Sequence, residues 1–293
     1  MTSLDFERDG VDWPNREFSR FVTRDEVHWH VQVAGEGPVA LLLHGTGAST
    51  HSFRDLIPEL SASFTVVVPD LPGHAFTRAP RAMVRSLSEM SRALRLLLET
   101  LELSVDVVLG HSAGAAIAAR MVLDGEMSPN GILSVNGAFL PFDGIARTAM
   151  PLMAKVIDGL GFVPSLVASR VRSSTMVESM LENTGSEIDA RGQQLYQRLA
   201  SSPAHVSGIL AMTAGWDLER LSRELPGLPC ALWLAAAERD RLVPVERTER
   251  THRLVPGSRL IHMDQLGHLA HEESPKRFSE LLRDLHATAS GPR

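Results

Sequence analysis

Cysteine is nearly absent from this sequence, where Cys230 is the only one among 293 residues. A single thiol cannot form a disulfide framework within the chain, and this fits a reducing compartment. Cys230 lies in an apolar run, in which a small buried thiol is the expected role.

Long apolar runs are also missing, since no stretch approaches the roughly 20 apolar residues that a membrane-spanning helix needs. The first twenty residues carry five acidic side chains and no apolar run, so we do not expect them to act as a signal peptide. These features predict a cytoplasmic protein, with peripheral attachment to a membrane left open.

An excess of basic residues is absent as well. The formal charge is -6, and lysine and arginine are scattered, so the sequence predicts no nucleic-acid partner. Phosphate-loop and dinucleotide fingerprints are missing, and no cofactor is expected. His28 and His30 have the spacing of a pair on one strand face, but no third ligand follows nearby, so we expect a polar strand face and no metal.

Short apolar segments with the features of strands recur along the chain. Residues 27 to 34 alternate polar and apolar side chains, which predicts a strand with one covered face, and Gly35 to Pro38 has the composition of a hairpin turn. Continuous apolar runs, typical of strands buried on both faces of a parallel sheet, follow at 39–43, 64–68, 105–109, 132–135, 231–235 and 259–263.

Segments of helical length separate several of these runs, as at Leu87 to Leu101. There one helical face carries Met90, Leu94, Leu97, Leu98 and Leu101. Strands that alternate with helices predict an α/β fold with a mostly parallel central sheet flanked by helices. The alternation of strands and helices stops between about 139 and 225, and the sequence of this segment is typical of helices. We interpret 139–225 as an inserted helical cap, and 1–138 with 226–293 as the core domain.

The strongest local motif is Gly110-His111-Ser112-Ala113-Gly114, which lies between an apolar strand and the helix-forming segment Ala115 to Leu123. In a nucleophile elbow a serine occupies a strained turn from strand to helix, and the flanking glycines avoid collision with neighbouring backbone. This pattern predicts the α/β-hydrolase fold, with Ser112 as the catalytic nucleophile.

A serine needs a base and an acid, which follow it in that fold in the order acid, then histidine. Asp240 comes after the strand that ends near 236, and His268 comes after the last strand. Both are therefore expected at the edge of the sheet that binds ligands. Glu238 is the alternative acid and His271 the alternative base. His271 is expected to be a surface side chain or one that caps a helix end. Asp70 is expected to stabilise a turn.

The predicted oxyanion hole requires two backbone N–H groups. One belongs to Ala113, the residue after the nucleophile. The other is expected from Thr46 in His44-Gly45-Thr46-Gly47, which follows an early strand.

Beyond these motifs, the sequence resembles the family of magnesium chelatase accessory proteins of bacteriochlorophyll biosynthesis, BchO, an α/β-hydrolase family of phototrophic bacteria. The resemblance covers nearly the whole chain. It rests on Asp12-Trp13-Pro14, Trp29 to Gln32, Leu42 to Ser52, Gly110 to Ala116, Asn136-Gly137-Ala138, Thr184-Gly185-Ser186, Leu195-Tyr196, Ala214, Trp216 to Leu218 and Gly267 to Glu273. One departure is Gly73-His74-Ala75, where the wider fold usually has Gly-His-Gly; this is expected to narrow that loop.

The resemblance leaves two hypotheses. The first is a serine hydrolase of an ester or related acyl bond in an apolar substrate, such as a tetrapyrrole or another compound of that pathway. The second is a non-catalytic accessory protein, found in the photosynthesis pathway, that binds a porphyrin or the magnesium chelatase. Both hypotheses predict an apolar pocket between the cap and the sheet. The candidates to line it are apolar side chains of the cap, namely Met150, Met153, Met176, Met180 and Trp216.

Overall fold

The computed structural model describes residues 3–84, 86–141, 160–171 and 176–289. Eight strands form one sheet: β1 (Ser19–Arg24), β2 (Val27–Ala34), β3 (Val39–Leu43), β4 (Thr65–Pro69), β5 (Val107–His111), β6 (Gly131–Val135), β7 (Ala231–Ala237) and β8 (Arg259–Met263). Their order is β1-β2-β4-β3-β5-β6-β7-β8. The pairs β1/β2 and β2/β4 are antiparallel and the other pairs are parallel. The predicted strands and the mostly parallel sheet are confirmed.

Helices flank this sheet on both faces. Those before β7 are α1 (Phe6–Asp9), α2 (Leu56–Ser61), α3 (Arg81–Val84), α4 (Leu87–Thr100), α5 (Ala113–Leu123), α6 (Val163–Val171), α7 (Met176–Glu182), α8 (Ala190–Ala200), α9 (Pro203–Gly215) and α10 (Leu218–Glu224). Those after it are α11 (Val245–Leu254), α12 (Ala270–Glu273) and α13 (Pro275–Ala289). Short 3₁₀ turns occur at Arg16–Phe18, Thr50–Phe53 and Leu225–Gly227.

The central strands are buried on both faces, as their continuous apolar composition predicted. In β3, Leu41 packs into the core on the side of α4 and α5. Its neighbour Leu42 points to the opposite face and packs into the core that includes Phe278 of α13. Because side chains alternate along a strand, a strand covered on both sides must be apolar at every position.

The predicted hairpin between β2 and β3 is wrong. Strand β4 lies between them, and β2 pairs with β1 and β4 instead. The segment after β2 crosses the end of β4 closely: a Cβ on Gly35 would overlap the backbone carbonyl oxygens of Ser61 and Phe64. Gly35 also has a φ of 78°, which favours glycine. The turn composition was recognised, but the pairing partner depended on a strand 30 residues later.

The single covered face predicted for β2 is also wrong in its centre. His30 and Gln32 are buried, whereas His28 is exposed. The N-terminal segment covers this face: the Phe6 ring packs against His30, and Gln32 Nε2 donates to the carbonyl oxygen of Pro14 at 2.7 Å. A polar side chain can be buried here because a segment distant in sequence supplies its hydrogen bonds.

Between β6 and β7 the described residues form helices α6 to α10 and contain no strand. This agrees in content with a helical insertion, while the division into core and cap at 139 and 225 stays a prediction. The insertion packs on the sheet domain through α9 and α10, whose Met212 and Leu221 join the core cluster on the α5 side of the sheet. Within the described residues, no helix has the length and apolar content to cross a bilayer.

Eight of the twelve histidines are buried: His30, His44, His51, His74, His111, His205, His268 and His271. Burial disfavours the charged imidazolium. It lowers the pKa of His271 to about 3 and the pKa of His205 to about 4. The fold therefore holds several histidines in the neutral form, which makes it sensitive to acid.

We expect the free energy of unfolding to fall as the pH drops from about 6.5 towards 4. The folded-state pKa values of His205 and His271 lie below the ordinary value of 6.5, so the unfolded chain binds more protons in this interval. Their stabilisation is fully present above pH 6.5. It is lost with acid at about 1.4 kcal/mol per pH unit for each histidine. Urea unfolding at a series of pH values measures this slope.

The variant His271→Asn should reduce that slope by about 1.4 kcal/mol per pH unit, since one proton-binding difference is removed. Ile57→Val is the matched control, because it deletes a buried methylene at a cost of about 1 kcal/mol and no titrating group. An identical slope in His271→Asn and wild type would contradict the prediction.

Candidate active site

Ser112 occupies a strained turn between a strand and a helix. Strand β5 ends at His111, α5 begins at Ala113, and Ser112 between them has φ 50° and ψ -114°. Its N–H donates to the carbonyl oxygen of Val135 at 2.9 Å, which ties the turn to the neighbouring strand β6. A residue with a Cβ avoids this backbone conformation unless the surroundings impose it.

Glycines around Ser112 allow the close packing that imposes it. A Cβ on Gly114 would overlap the carbonyl oxygen of Leu43, and a Cβ on Gly110 would lie 2.6 Å from the Cα of Ala115. A Cβ on Gly45 would lie 2.8 Å from His111 Nδ1 and 3.1 Å from the Cβ of Ser112. The flanking glycines are therefore required for the reason that the sequence predicted, and the loop after β3 lies against Ser112.

Asp240 and His268 are in direct contact. Asp240 follows β7, His268 follows β8, and the Asp240 Oδ2 to His268 Nδ1 distance is 2.7 Å. Both residues are buried, with 6% and 5% of their surface exposed. Asp240 Oδ1 accepts from the N–H groups of Leu242 and Val243 at 2.7 and 2.8 Å. These donors match an ionised carboxylate, so the ring proton of His268 lies on Nδ1.

The main chain of His268 is held on both sides. Its N–H donates to the carbonyl oxygen of Thr184 at 3.2 Å. Its carbonyl oxygen accepts from His111 Nε2 and from Asn136 Nδ2, both at 2.9 Å. Asn136 Oδ1 also accepts from the N–H of Ala237, the last residue of β7. The Asn136 side chain therefore links the end of β7 to the loop that carries His268. Sequence reasoning assigned Asn136 no role, although it belongs to the segment Asn136-Gly137-Ala138 that carried the resemblance.

Within the described residues, neither Ser112 Oγ nor His268 Nε2 makes a hydrogen bond. All three predicted catalytic residues nevertheless follow the carboxyl ends of parallel strands, β5, β7 and β8, and so meet at one edge of the sheet. Hydrogen bonds between a nucleophile and its base are often long without substrate. The hydrogen bond from Ser112 to His268 stays a prediction.

The alternative acid and base have different surroundings. Glu238 is exposed, unlike Asp240. His271 is buried, so the surface or capping position expected for it is wrong; its Nε2 lies 2.8 Å from Ser52 Oγ. Asp70 is buried and pairs with His30 at 2.7 Å, and it accepts from the N–H of Thr50, so it stabilises loops as predicted.

A buried polar network lies behind His271 and was missed by sequence reasoning. The Glu272 carboxylate accepts from Ser52 Oγ and Tyr196 Oη at 2.6 Å each and pairs with Arg54. Burial raises the pKa of Glu272, and the Arg54 guanidinium opposes that rise. Because Tyr196 belongs to α8, the network joins the inserted helices to the segment that follows His268. Each of these partners is more than 70 residues from Glu272 in the sequence, so no local pattern indicates the network.

The predicted oxyanion donors belong to the residue after Ser112 and to the loop after β3, whose Gly45 lies against Ser112. Within the described part of the chain, the N–H groups of Thr46 and Ala113 donate to no residue. The Thr46 side chain donates from Oγ1 to Met212 Sδ at 3.0 Å. Two unpaired amides beside a serine suit a developing negative charge, but their role stays a prediction.

Three of the five residues predicted to line a pocket beneath the cap lie in the described part of the chain. Met150 and Met153 lie outside the described residues. Met176 and Met180 are 40% and 59% exposed. Trp216 packs against the core on the α5 side, and its Nε1 donates to the carbonyl oxygen of Val84 at 3.4 Å.

Elsewhere, a cavity of 380 Å³ lies between the N-terminal segment and β1 and β2, and its walls include Phe6, Phe21 and Trp29. No predicted site residue lines it. Considering the described ranges alone, no group of three or more histidine, cysteine or acidic residues is arranged to hold a metal ion.

Comparison with known proteins gives matches over most of the chain. The family model described as the alpha/beta hydrolase family matches residues 40–281. The magnesium-chelatase 30 kDa subunit of Rhodobacter capsulatus is 38% identical over 276 residues, covering 94% of this chain and 96% of that protein.

Two solved structures show the same fold at low sequence identity. An alpha/beta hydrolase fold protein from Burkholderia ambifaria superposes with a TM-score of 0.77 at 20% identity, over 91% of this chain and 97% of that one. A thermophilic esterase from Thermogutta terrifontis superposes with a TM-score of 0.73 at 21% identity, over 93% and 99%. With its sheet order, its strained serine turn and these matches, the chain belongs to the alpha/beta hydrolase family and is similar over nearly its whole length to a magnesium-chelatase 30 kDa subunit.

Proposed function

We propose that this chain is a serine hydrolase that cleaves an ester or related acyl bond, with Ser112 as nucleophile, His268 as base and Asp240 as acid. The observation that carries the proposal is the buried contact of 2.7 Å between His268 Nδ1 and Asp240 Oδ2. It lies at the edge of the sheet where Ser112 follows β5 in a strained turn. A neutral imidazole with its proton fixed on Nδ1 leaves Nε2 able to accept a proton from a serine.

In this mechanism Ser112 Oγ attacks the substrate carbonyl carbon while its proton passes to His268 Nε2. The carbonyl oxygen becomes an oxyanion, which the N–H groups of Ala113 and Thr46 bind. As the carbon–oxygen bond breaks, His268 returns the proton to the leaving oxygen and Ser112 keeps the acyl group. Water then attacks the acyl-enzyme by the same steps and frees the acid. Asp240 holds the imidazole and stabilises its charged form throughout.

The proposed substrate is an apolar molecule, either a tetrapyrrole or another compound of bacteriochlorophyll biosynthesis. Support for this class comes from the 38% identical relative, whose name concerns magnesium chelatase. Met150, Met153, Met176, Met180 and Trp216 remain the candidates for contact with it, because thioether side chains are flexible and an indole can stack on a flat apolar ring.

A second candidate function is an accessory role without turnover, in which the chain binds a porphyrin or the magnesium chelatase. The name of the same relative favours it. The two functions differ in a simple respect: only the first requires a reactive Ser112.

We expect Ser112→Ala to lower hydrolysis of a small ester by at least about a thousandfold with little change in thermal stability, because one hydroxyl is removed from the proposed nucleophile. A serine-directed fluorophosphonate should label wild-type protein at Ser112 and leave the variant unlabelled, as read by mass spectrometry. Ser63→Ala, at an exposed serine, is the control and should retain labelling. Wild-type protein that is never labelled would reject the hydrolase.

We expect Asp240→Asn to lower kcat by about a thousandfold near neutral pH. The Leu242 and Val243 N–H groups at Oδ1 would orient the new amide oxygen towards themselves, so its NH₂ would face His268. His268 would then carry its proton on Nε2, where it cannot accept one from serine.

The matched control is Glu238→Gln, which neutralises the exposed carboxylate two residues earlier and should leave kcat unchanged. Steady-state kinetics on a small ester compares the two variants. An equal loss in both, or a loss in Glu238→Gln alone, would reassign the acid.

The tetrapyrrole substrate class predicts that a porphyrin titrated into the protein quenches tryptophan emission saturably, with Trp216 as the main reporter. Ser112→Ala should retain this quenching, since binding does not need the nucleophile. Trp216→Phe should lose most of the saturable quenching. Trp233→Phe, which removes the indole of β7, should retain it. Quenching without saturation in every variant would reject the tetrapyrrole and leave a hydrolase of small substrates.

A further inference from the structure

Helix α9 (Pro203–Gly215) lies against the loops that follow β3 and β4. Its Gly208 packs against Gly73 in the loop after β4, where a Cβ on Gly208 would overlap the Gly73 carbonyl oxygen. A Cβ on Gly47, in the loop after β3, would be 3.4 Å from Ile209 of the same helix. The helix therefore contacts the loop after β4 at backbone level, while the loop after β3 lies beside the Ile209 side chain.

His205 connects these two loops through one buried ring. Its Nδ1 accepts from the N–H of Ala75 at 3.0 Å, and its Nε2 lies 3.1 Å from the carbonyl oxygen of Gly47. An amide can only donate and a carbonyl can only accept, so the ring proton lies on Nε2. Because burial lowers its pKa to about 4, His205 keeps this neutral form at neutral pH.

Both bonded loops have backbone conformations that need support. Ala75 has a φ of 42°, which is unfavourable for a residue with a Cβ, and its N–H is held by His205. Gly47 is the third residue of the turn Gly45 to Ala48, which is closed by the bond from the Ala48 N–H to the Gly45 carbonyl oxygen at 3.2 Å. Its φ of 81° is the conformation that glycine adopts at this position of a turn.

The same turn contains Thr46, whose N–H is the proposed second oxyanion donor. Helix α9 holds this turn at two points: His205 donates to the Gly47 carbonyl oxygen, and Met212 Sδ accepts from Thr46 Oγ1. We infer that His205 is a positioning residue, which aims the Thr46 N–H at the reacting carbonyl by fixing Gly47, with Met212 as a second anchor. This inference rests on the proposed serine hydrolase.

A donor that is aimed less well loses strength mainly when the oxyanion forms. Loss of a whole oxyanion donor costs about 100- to 1000-fold in kcat, so loosening one should cost about 10- to 100-fold. Substrate binding in the ground state depends little on this contact, and KM should hardly change.

Two substitutions separate the bonds of His205. In His205→Gln the side-chain amide can reach the position of Nε2 and still donate to Gly47. In His205→Asn the shorter side chain can accept from Ala75 but cannot reach Gly47. We expect His205→Asn to lose about 10- to 100-fold in kcat on a small ester and His205→Gln to stay within about threefold of wild type, with KM similar in all three.

Thr213→Val is the control on the same helix, since it removes a hydroxyl that bonds only within α9, to the Ile209 carbonyl oxygen. It should leave kcat unchanged. If His205→Asn fails to fold, Met212→Leu replaces it. That variant conserves volume, removes the sulfur that accepts from Thr46, and should lower kcat severalfold at constant KM.

The fluorophosphonate labelling rate is measured in parallel on each folded variant. Suppose that wild-type protein is labelled at Ser112 but the two His205 variants have equal kcat, or differ from wild type only in KM. The positioning role of His205 is then rejected, and the hydrolase stands. If wild-type protein is neither labelled nor active on esters, the proposed function and this inference fail together. Rescue by Gln but not by Asn supports the inference.

Discussion

The approach of helix α5 to strand β3 is the constraint on which the rest of the site depends. Gly114 lies so close to the Leu43 carbonyl oxygen that no side chain fits between them. This contact brings the helix to the end of β5 and leaves Ser112 with a positive φ. The N–H of Ala113, which donates to no residue in the described part of the chain, and the loop after β3 are then adjacent to the serine, because both belong to the elements in contact.

The segment between β6 and β7 supplies more than a cover for this arrangement. Thr184 binds the backbone of His268, Tyr196 reaches Glu272 behind it, and His205 and Met212 hold the loop of Thr46. Residues between β6 and β7 thus contact both the main chain of His268 and the loop of Thr46. A change in their packing would act on the base and on the oxyanion loop together.

Buried polar groups in these contacts favour one arrangement of the loops over others. His205, Glu272 and Asn136 each bond to segments far away in sequence, and each loses its partners if one segment moves. Leaving a buried donor or acceptor unpaired costs about 1–3 kcal/mol, which favours a single arrangement of the loops. Neutral histidines give this precision near neutral pH, and they are also the groups through which acid weakens the fold.

The sequence by itself determined which segments form the central strands and where the serine turn lies, because strand burial and glycine spacing are local patterns with a direct physical cause. It also identified Asp240 and His268 as residues after strands, and their 2.7 Å contact follows from parallel strands ending at one edge. Only the tertiary structure decided the partner of β2, the burial of His271 and the contacts of His205 and Glu272. Each of these depends on a hydrogen bond or a contact between segments that are distant along the chain, for which a local pattern carries no information.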